Sequence, residues 1–231
     1  MKEDLRVLRT RQMLEDALYE LVDAIGYEKI TVTSLVNKAC INRNTFYLHY
    51  KDKYDLLNKI EDRVLNELDH SLDPLPAAMM KSLHIDDMND EVVKVFTDFY
   101  NAIYKNSRYF NTIPIHENHT AFWARLATVL KEHIHAGYPK DLFRIPLQYY
   151  DAVIVGIQTG LIREWATGGL KEKPEELVDI MVMILKGLTK SVFIKENTVS
   201  KDATAPGAHA SGPQPGAKAF GPDDLPLYHN Y

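Results

Sequence analysis

Apolar and polar residues alternate along this chain with the period of an α-helix over most of its length. Between residues 5 and 25, apolar residues recur about every 3.6 positions, which is typical of a helix with one buried face. Gly26 follows at the point where a left-handed cap would end such a helix. The pattern therefore predicts an all-α fold that begins with a long amphipathic helix.

Three short polar residues predict where the next helices begin. Thr31, Asn42 and Asp52 each stand directly before a helical pattern, and side chains of these types accept hydrogen bonds from the first amides of a helix. Asp55 stands three residues after Asp52, in a capping-box arrangement. The predicted helices span about 31–39, 42–49 and 52–72.

The remaining helical patterns lie at about 91–105, 119–136, 146–166 and 174–194. Pro146 and Pro174 suit the first turns of the last two, and Gly168-Gly169 separates them. The last helix is apolar around a wide arc, so it must be covered on two sides. A second copy of the chain is one candidate for the second side.

The segment from 197 to 231 has a different composition. From Lys201 onwards it holds five prolines and four glycines and has no helical periodicity, which indicates a disordered or appended tail. We therefore expect three segments: a helix-turn-helix domain (1–51), a helical domain (52–196) and the tail (197–231).

Charge and cysteine content narrow the possible functions. The net charge of the 231 residues is −5, yet residues 38–59 hold five basic and two acidic side chains. Such a local basic cluster suits a small DNA footprint. With Cys40 as the single cysteine, no internal disulfide can form, and neither a secretory signal nor a long apolar run is visible. These features lead us to expect a cytoplasmic protein.

Residues 30–57 resemble the helix-turn-helix of the TetR/AcrR family of bacterial regulators. The matching positions are Ile30-Thr31-Val32, Leu35-Val36, Ala39-Cys40-Ile41-Asn42, Thr45-Phe46-Tyr47-Leu48-His49-Tyr50, Lys53 and Leu56-Leu57. The aromatic, histidine and lysine run at this spacing is specific to the family. The resemblance implies a dimer that binds a palindromic operator, in most cases as a repressor.

The resemblance also assigns roles within the motif. The second helix of such a unit lies in the major groove, with its N-terminal residues at the base edges. Polar tips further along suit phosphate oxygens, while Phe46 is expected to point inward. The predicted DNA contacts are Thr31, Thr33, Asn42, Arg43, Asn44, Thr45, Tyr47, His49 and Lys53. Whether Arg43 and Asn44 contact bases or phosphates is left open by the sequence.

Two positions depart from the family pattern. Cys40 stands where the family commonly has glycine, because the turn requires a left-handed backbone there. We expect Cys40 to tolerate that conformation and to be buried as a small apolar residue. Asn44 replaces a frequent glycine and adds a side chain that is able to read a base.

The resemblance implies that the C-terminal domain binds a small-molecule effector and forms a homodimer through its last two helices, at about 147–166 and 174–194. Gly156 and Gly160 would allow close helix packing. The stretch from Arg163 to Leu185 is similar to a C-terminal subgroup of Firmicutes regulators. Candidate ligand-binding residues are Tyr100, Tyr104, Phe110, Phe122, Trp123, Tyr149 and Trp165.

Two other functions remain to be weighed. A protein partner could take the place of the small effector, as the acidic C-terminal part allows. An enzyme is disfavoured, because the chain has no Gly-rich phosphate loop, nucleophile elbow or catalytic carboxylate pair. We expect no catalytic residue and no cofactor. The histidine pairs His116/His119 and His133/His135 lack the further ligands of a metal site, so no metal is expected.

Overall fold

The computed structural model describes residues 5–81, 89–116, 120–137 and 145–192, and these ranges contain helices and no strand. The helices are α1 (Leu5–Ile25), α2 (Val32–Lys38), α3 (Arg43–His49), α4 (Lys53–Leu72), α5 (Leu75–Lys81), α6 (Asp90–Lys105), α7 (Ser107–His116), α8 (Thr120–Ala136), α9 (Leu147–Thr167) and α10 (Pro174–Val192), with a 3₁₀ turn at Tyr27–Lys29. None of these helices is long and apolar enough to cross a bilayer. The tail, 197–231, lies outside the described residues.

The three predicted N-caps are confirmed. Thr31 Oγ1 accepts from the amide of Ser34 at 3.0 Å, and Ser34 Oγ accepts from the amide of Thr31 at 2.9 Å, which makes a complete capping box. Asn42 Oδ1 accepts from the amide of Asn44 at 2.8 Å. Asp52 Oδ1 accepts two amides of the first turn of α4, at 2.8 and 2.9 Å. These caps fix the starts of α2, α3 and α4.

The predicted reciprocal bond of Asp55 differs by one residue. Asp55 Oδ2 accepts from the amide of Lys51 at 2.9 Å and not from that of Asp52. The Lys51 bond, together with the ammonium of Lys59 at 3.0 Å, lowers the pKa of Asp55. Lys59 also donates to the carbonyl of His49 at 2.8 Å, so this group of bonds holds the end of α3 against α4.

The two predicted left-handed positions, Gly26 and Cys40, are confirmed, but the expected burial of Cys40 is wrong. Gly26 ends α1 with φ 77°, and Cys40 adopts φ 53° in the turn between α2 and α3. Cys40 is exposed, whereas burial was expected. The left-handed turn directs its side chain outward, while Ala39 before it is buried and Ile41 after it packs against the core.

Two described helices were not predicted from the sequence, namely α5 and α7. Both segments are short and each contains a proline, Pro76 in α5 and Pro114 in α7, so no long apolar stripe marks them. α7 packs against α1, and α4 packs against α6 and α8. The described helices all lie within one compact unit, residues 1–194. The division of that unit at residue 51 stays a prediction.

Candidate nucleic-acid interface

Helix α3 has one buried face and one polar, solvent-facing edge. Phe46 is fully buried in the hydrophobic core, as predicted. Tyr47 is 48% exposed, so its predicted outward direction is confirmed. Asn42, Arg43 and Asn44 are also exposed at the start of the helix. The helix therefore presents the N-terminal residues that a reader helix directs towards base edges.

Arg43 organises this edge. Its guanidinium donates to the hydroxyl of Tyr47 at 3.1 Å and lies 5.6 Å from the centre of the same ring. A second N–H donates to Thr33 Oγ1 on α2 at 3.5 Å. A guanidinium has five N–H donors, so these two bonds leave capacity for an outer acceptor. The side chains of Thr33, Arg43 and Tyr47 are thereby held together in one exposed group, which we call the reading edge.

Other predicted DNA contacts have structural roles of their own. The side-chain oxygens of Thr31 and Asn42 accept cap bonds, which leaves the amide nitrogen of Asn42 as its outward donor. Thr45 and His49 are partly buried on α3. Asn44 is exposed and has the amide geometry that suits an adenine edge. Their DNA contacts remain predictions.

Lys53 lies in a different environment from the one its motif position suggested. Its ammonium donates to the carbonyls of Tyr27 and Glu28, both at 3.0 Å, and lies 4.7 Å from the centre of the Tyr27 ring. The Tyr27 hydroxyl in turn donates to the carbonyl of Lys53 at 3.2 Å. Lys53 thus ties the 3₁₀ turn to the start of α4. Its phosphate contact remains a prediction that would use the third N–H.

Leu48 is one residue of this surface that the sequence analysis did not select. It is 80% exposed on α3, beside Tyr47. The sequence did contain a signal for the exposure of Leu48. Phe46 is expected to point inward, and the residue two positions after it in a helix points to the opposite side. An exposed leucine here suits apolar contact with a thymine methyl group or a sugar.

A family model and a curated relative each match part of the chain. A family model described as a transcriptional regulator C-terminal region matches residues 90–187. A stretch of 69 residues is 39% identical to YxbF, an uncharacterized HTH-type transcriptional regulator of Bacillus subtilis strain 168. That match covers 29% of this chain and 18% of YxbF, so it spans less than a fifth of the relative.

Solved structures of similar fold cover most of the chain. A TetR-family regulator from Syntrophomonas wolfei has a TM-score of 0.57 at 18% identity, over 78% of this chain and 95% of that one. A TetR regulator from Streptococcus agalactiae has a TM-score of 0.54 at 17% identity, over 79% and 96%. The chain therefore has the fold of TetR-family regulators, and its residues 90–187 match a transcriptional regulator C-terminal region. The fatty acid degradation regulator FadR of Bacillus halodurans shares the fold, with a TM-score of 0.52 at 15% identity, over 82% and 99%.

The candidate ligand-binding aromatics separate into two groups. Five are buried: Tyr100, Phe110, Phe122, Trp123 and Trp165. Tyr104 and Tyr149 are exposed, although the Tyr104 ring stacks on Trp165 with centroids 6.2 Å apart. Phe110 and Phe122 meet edge to face, and Trp123 lies against Phe122 in the same way. The buried group fills the centre of the helical domain, and its ligand role remains a prediction.

The described cavities lie elsewhere on the helical region. An open groove of about 670 Å³ lies between α4 and α6, and a smaller one of about 270 Å³ lies between α4 and α8. Charged residues dominate the larger groove, whose lining includes Lys59, Arg63, Glu67 and Lys105. The seven candidate aromatics line neither of these two cavities. Glu67 in this groove pairs with Lys105 on the opposite helix at 3.4 Å and with Arg63 on its own helix at 3.6 Å.

Proposed function

We propose that this TetR-family regulator binds a palindromic operator as a homodimer, represses transcription there and releases the DNA when a small-molecule effector binds. The observation that carries the DNA part is the reading edge. Arg43 is held by Tyr47 and Thr33 on the solvent side of α3, while Phe46 anchors the opposite side in the core. A preorganised guanidinium loses little conformational freedom when it binds, which favours affinity.

The reading edge suggests a division of roles on DNA. Arg43 has the bidentate donor geometry that recognises guanine O6 and N7, and Asn44 has the amide that recognises adenine. The Tyr47 hydroxyl accepts from Arg43 and so retains its own hydrogen for a phosphate oxygen. Sequence reading would then depend on Arg43 and Asn44, and register on Tyr47.

The proposed dimer rests on exposed apolar residues of α9 and α10. Tyr149, Val153, Gly156 and Gly160 form one stripe along α9, at helical spacing. A Cβ built at either glycine would meet no atom within 4 Å, so this side of α9 is open. Ile180, Met183 and Ile184 form the matching exposed group on α10. Two such helices from each copy would pack as a four-helix interface around a two-fold axis.

In this proposal, the geometry of the two-fold dimer also explains how an effector controls DNA binding. A two-fold dimer presents its two reader helices to half-sites separated by about one DNA turn or a multiple of it. An effector that binds better to a dimer with another separation shifts the population away from the DNA-binding state. The small-molecule effector is preferred to a protein partner because the helical domain buries aromatic and polar groups together, as at Tyr100 and Gln158.

A gel-shift titration tests the DNA-binding part with the duplex upstream of the regulator's own gene as the probe. We expect Arg43→Ala to weaken specific binding by one to two orders of magnitude, since a bidentate base contact contributes about 1–3 kcal/mol. Tyr47→Phe should weaken it by about tenfold, while Tyr104→Phe, at an exposed tyrosine on α6, should leave it unchanged. Equal binding by all four proteins would overturn the assignment.

A further inference from the structure

Helix α9 carries two buried polar residues on one face. Asp151 and Gln158 are seven residues apart, which is close to two helical turns, and Trp165 continues the same line. Asp151 is 2% exposed and Gln158 is fully buried. The helical rise places the two polar residues about 10 Å apart along α9. Their neighbours on the buried side, such as Ile154 and Ile162, are apolar.

Each of these polar side chains is satisfied at one atom only. Gln158 Oε1 accepts from the Tyr100 hydroxyl at 2.7 Å, and Asp151 Oδ2 lies 3.1 Å from His135 Nδ1. Gln158 Nε2 and Asp151 Oδ1 have no hydrogen-bond partner among the residues that the structure describes. A buried polar group without a hydrogen-bond partner is energetically unfavourable, because it has lost its bonds to water. The helix therefore holds one unpaired donor and one unpaired acceptor on a single buried line.

The partners fix the direction of these unpaired atoms. Burial raises the pKa of Tyr100, so its hydroxyl stays protonated and keeps donating to Gln158. That bond turns the amide nitrogen of Gln158 away from Tyr100, whose ring lies edge to face with Trp165 at 5.9 Å. At the other end, the side chain of His135 is 43% exposed, so Asp151 lies next to the protein surface. The line thus runs from a buried acidic end, which the exposed His135 separates from solvent, to an aromatic end deeper in the core.

We propose that this line is the effector site and that it takes an elongated neutral or cationic molecule. Its outer end presents an ammonium or hydroxyl to Asp151 Oδ1, and its inner end presents an oxygen acceptor to Gln158 Nε2, about 10 Å away. The apolar residues between them contact a hydrocarbon middle. A carboxylate or phosphate at the outer end is disfavoured, because it would meet the carboxylate of Asp151 in a site poorly screened by water.

This inference rests on the proposed effector control and names the chemistry of that effector. Matched probes test it: 8-aminooctan-1-ol, octane-1,8-diol and 8-hydroxyoctanoate share one chain and one hydroxyl and differ at the other end. Titration calorimetry on the full chain should give the order ammonium, then diol, with the carboxylate at least tenfold weaker than the ammonium. Preference for the carboxylate, or binding by none of the three at millimolar concentration, would overturn the proposal.

Two substitutions locate the binding. Asp151→Asn should weaken the aminoalcohol at least tenfold while changing the diol by no more than about threefold, because only the charge is lost. Gln158→Met keeps the volume of the side chain and removes its donor, so all probes that bind should weaken. Matched controls are Asp98→Asn on α6 and Gln148→Met on α9, where both native side chains are exposed. Equal probe binding by controls and site variants would also overturn the proposal.

The test of the effector site can fail or succeed independently of the test of DNA binding. Operator binding by the protein without any probe is measured in parallel, by the gel shift described above. Specific DNA binding with no probe selectivity would leave the regulator in place and remove this effector site. Selective probe binding with no specific DNA binding would do the reverse. If a variant fails to fold, the probe order on the native chain still decides the proposal.

Discussion

Phe46 and Tyr47 are adjacent in the chain and lie in opposite environments. The Phe46 ring is fully buried and contacts the rings of Tyr47 and Tyr50, with centroids 5.5 and 5.6 Å away. The Tyr47 hydroxyl faces solvent and accepts from Arg43. One residue thus anchors the reader helix and the next presents its polar group, so the two roles are open to separate tests.

Replacing Phe46 by alanine should destabilise the protein by about 3–5 kcal/mol, because the ring is removed from a packed core that cannot fully collapse. Leu48→Ala is the matched control, since Leu48 is exposed on the same helix. It should change stability by less than about 0.5 kcal/mol. Urea unfolding followed by circular dichroism measures both, and similar midpoints for the two variants would contradict the described packing.

Cys40 gives a second prediction at the residue scale. Its φ of 53° is unfavourable for any residue with a Cβ, by about 1–2 kcal/mol, and glycine removes this strain at some entropic cost. Cys40→Gly should therefore stabilise the protein by up to about 1 kcal/mol. Cys40→Ala retains the strain and should have little effect. Urea midpoints that do not separate the two variants would contradict a left-handed residue 40.

At the scale of elements, the junction between α3 and α4 positions the reading edge. Asp52 caps α4, Asp55 accepts from the amide of Lys51, and Lys59 bonds both Asp55 and the last turn of α3. Lys53 joins the same start of α4 to the 3₁₀ turn after α1. α3 is only seven residues long, so these bonds at its end and the packing of Phe46 hold its direction.

This junction predicts a pH effect. The folded state lowers the pKa of Asp55 through the Lys51 amide and the Lys59 ammonium, so the carboxylate stabilises the fold above its ordinary pKa. That contribution is lost as the pH falls through the lowered value. Asp55→Asn should remove it, by less than about 1 kcal/mol for so exposed a group. Melting curves over the acid range measure it, with Asp98→Asn as the control; unchanged pH dependence would contradict the bond.

The sequence predicted the elements whose signals are local. Thr31, Asn42 and Asp52 marked helix starts because capping depends on neighbouring amides, and the left-handed turn at residue 40 followed from the motif. The exposure of Cys40 and the carbonyl partners of Lys53 depend on how helices meet, which periodicity does not report. The buried polar pair on α9 was missed for a related reason: its partners come from α6 and α8.

At the scale of the whole molecule, polar side chains connect α1 and α2 with the helices that follow. Arg63 on α4 bonds Glu15 on α1 and the Asn106 side chain at the end of α6. Arg108 on α7 pairs with Asp16 and lies 3.6 Å from Glu20, both on α1. Glu20 also pairs with Lys38 at the end of α2, at 2.6 Å. A shift of α7 would therefore act directly on α1, and on α2 through Glu20.

The dimer prediction belongs to this scale. Val153→Glu with Met183→Glu places two charges on the exposed apolar faces of α9 and α10, where Met183 is 73% exposed. An unpaired charge in an interface core is strongly unfavourable, so the dissociation constant should rise by two orders of magnitude or more. Sedimentation velocity measures this, with Met80→Glu on α5 as the control. An intact dimer in the double variant would place the interface elsewhere.

The central claim is that two copies of the reading edge recognise a two-fold symmetric DNA site. Selection from a random duplex library with the full chain tests it most directly, because no operator has to be assumed. The account predicts enrichment of an inverted repeat, with half-site centres about one DNA turn or a multiple of it apart. It also predicts loss of that repeat with Arg43→Ala. An asymmetric consensus, or no enrichment over the starting library, would contradict it.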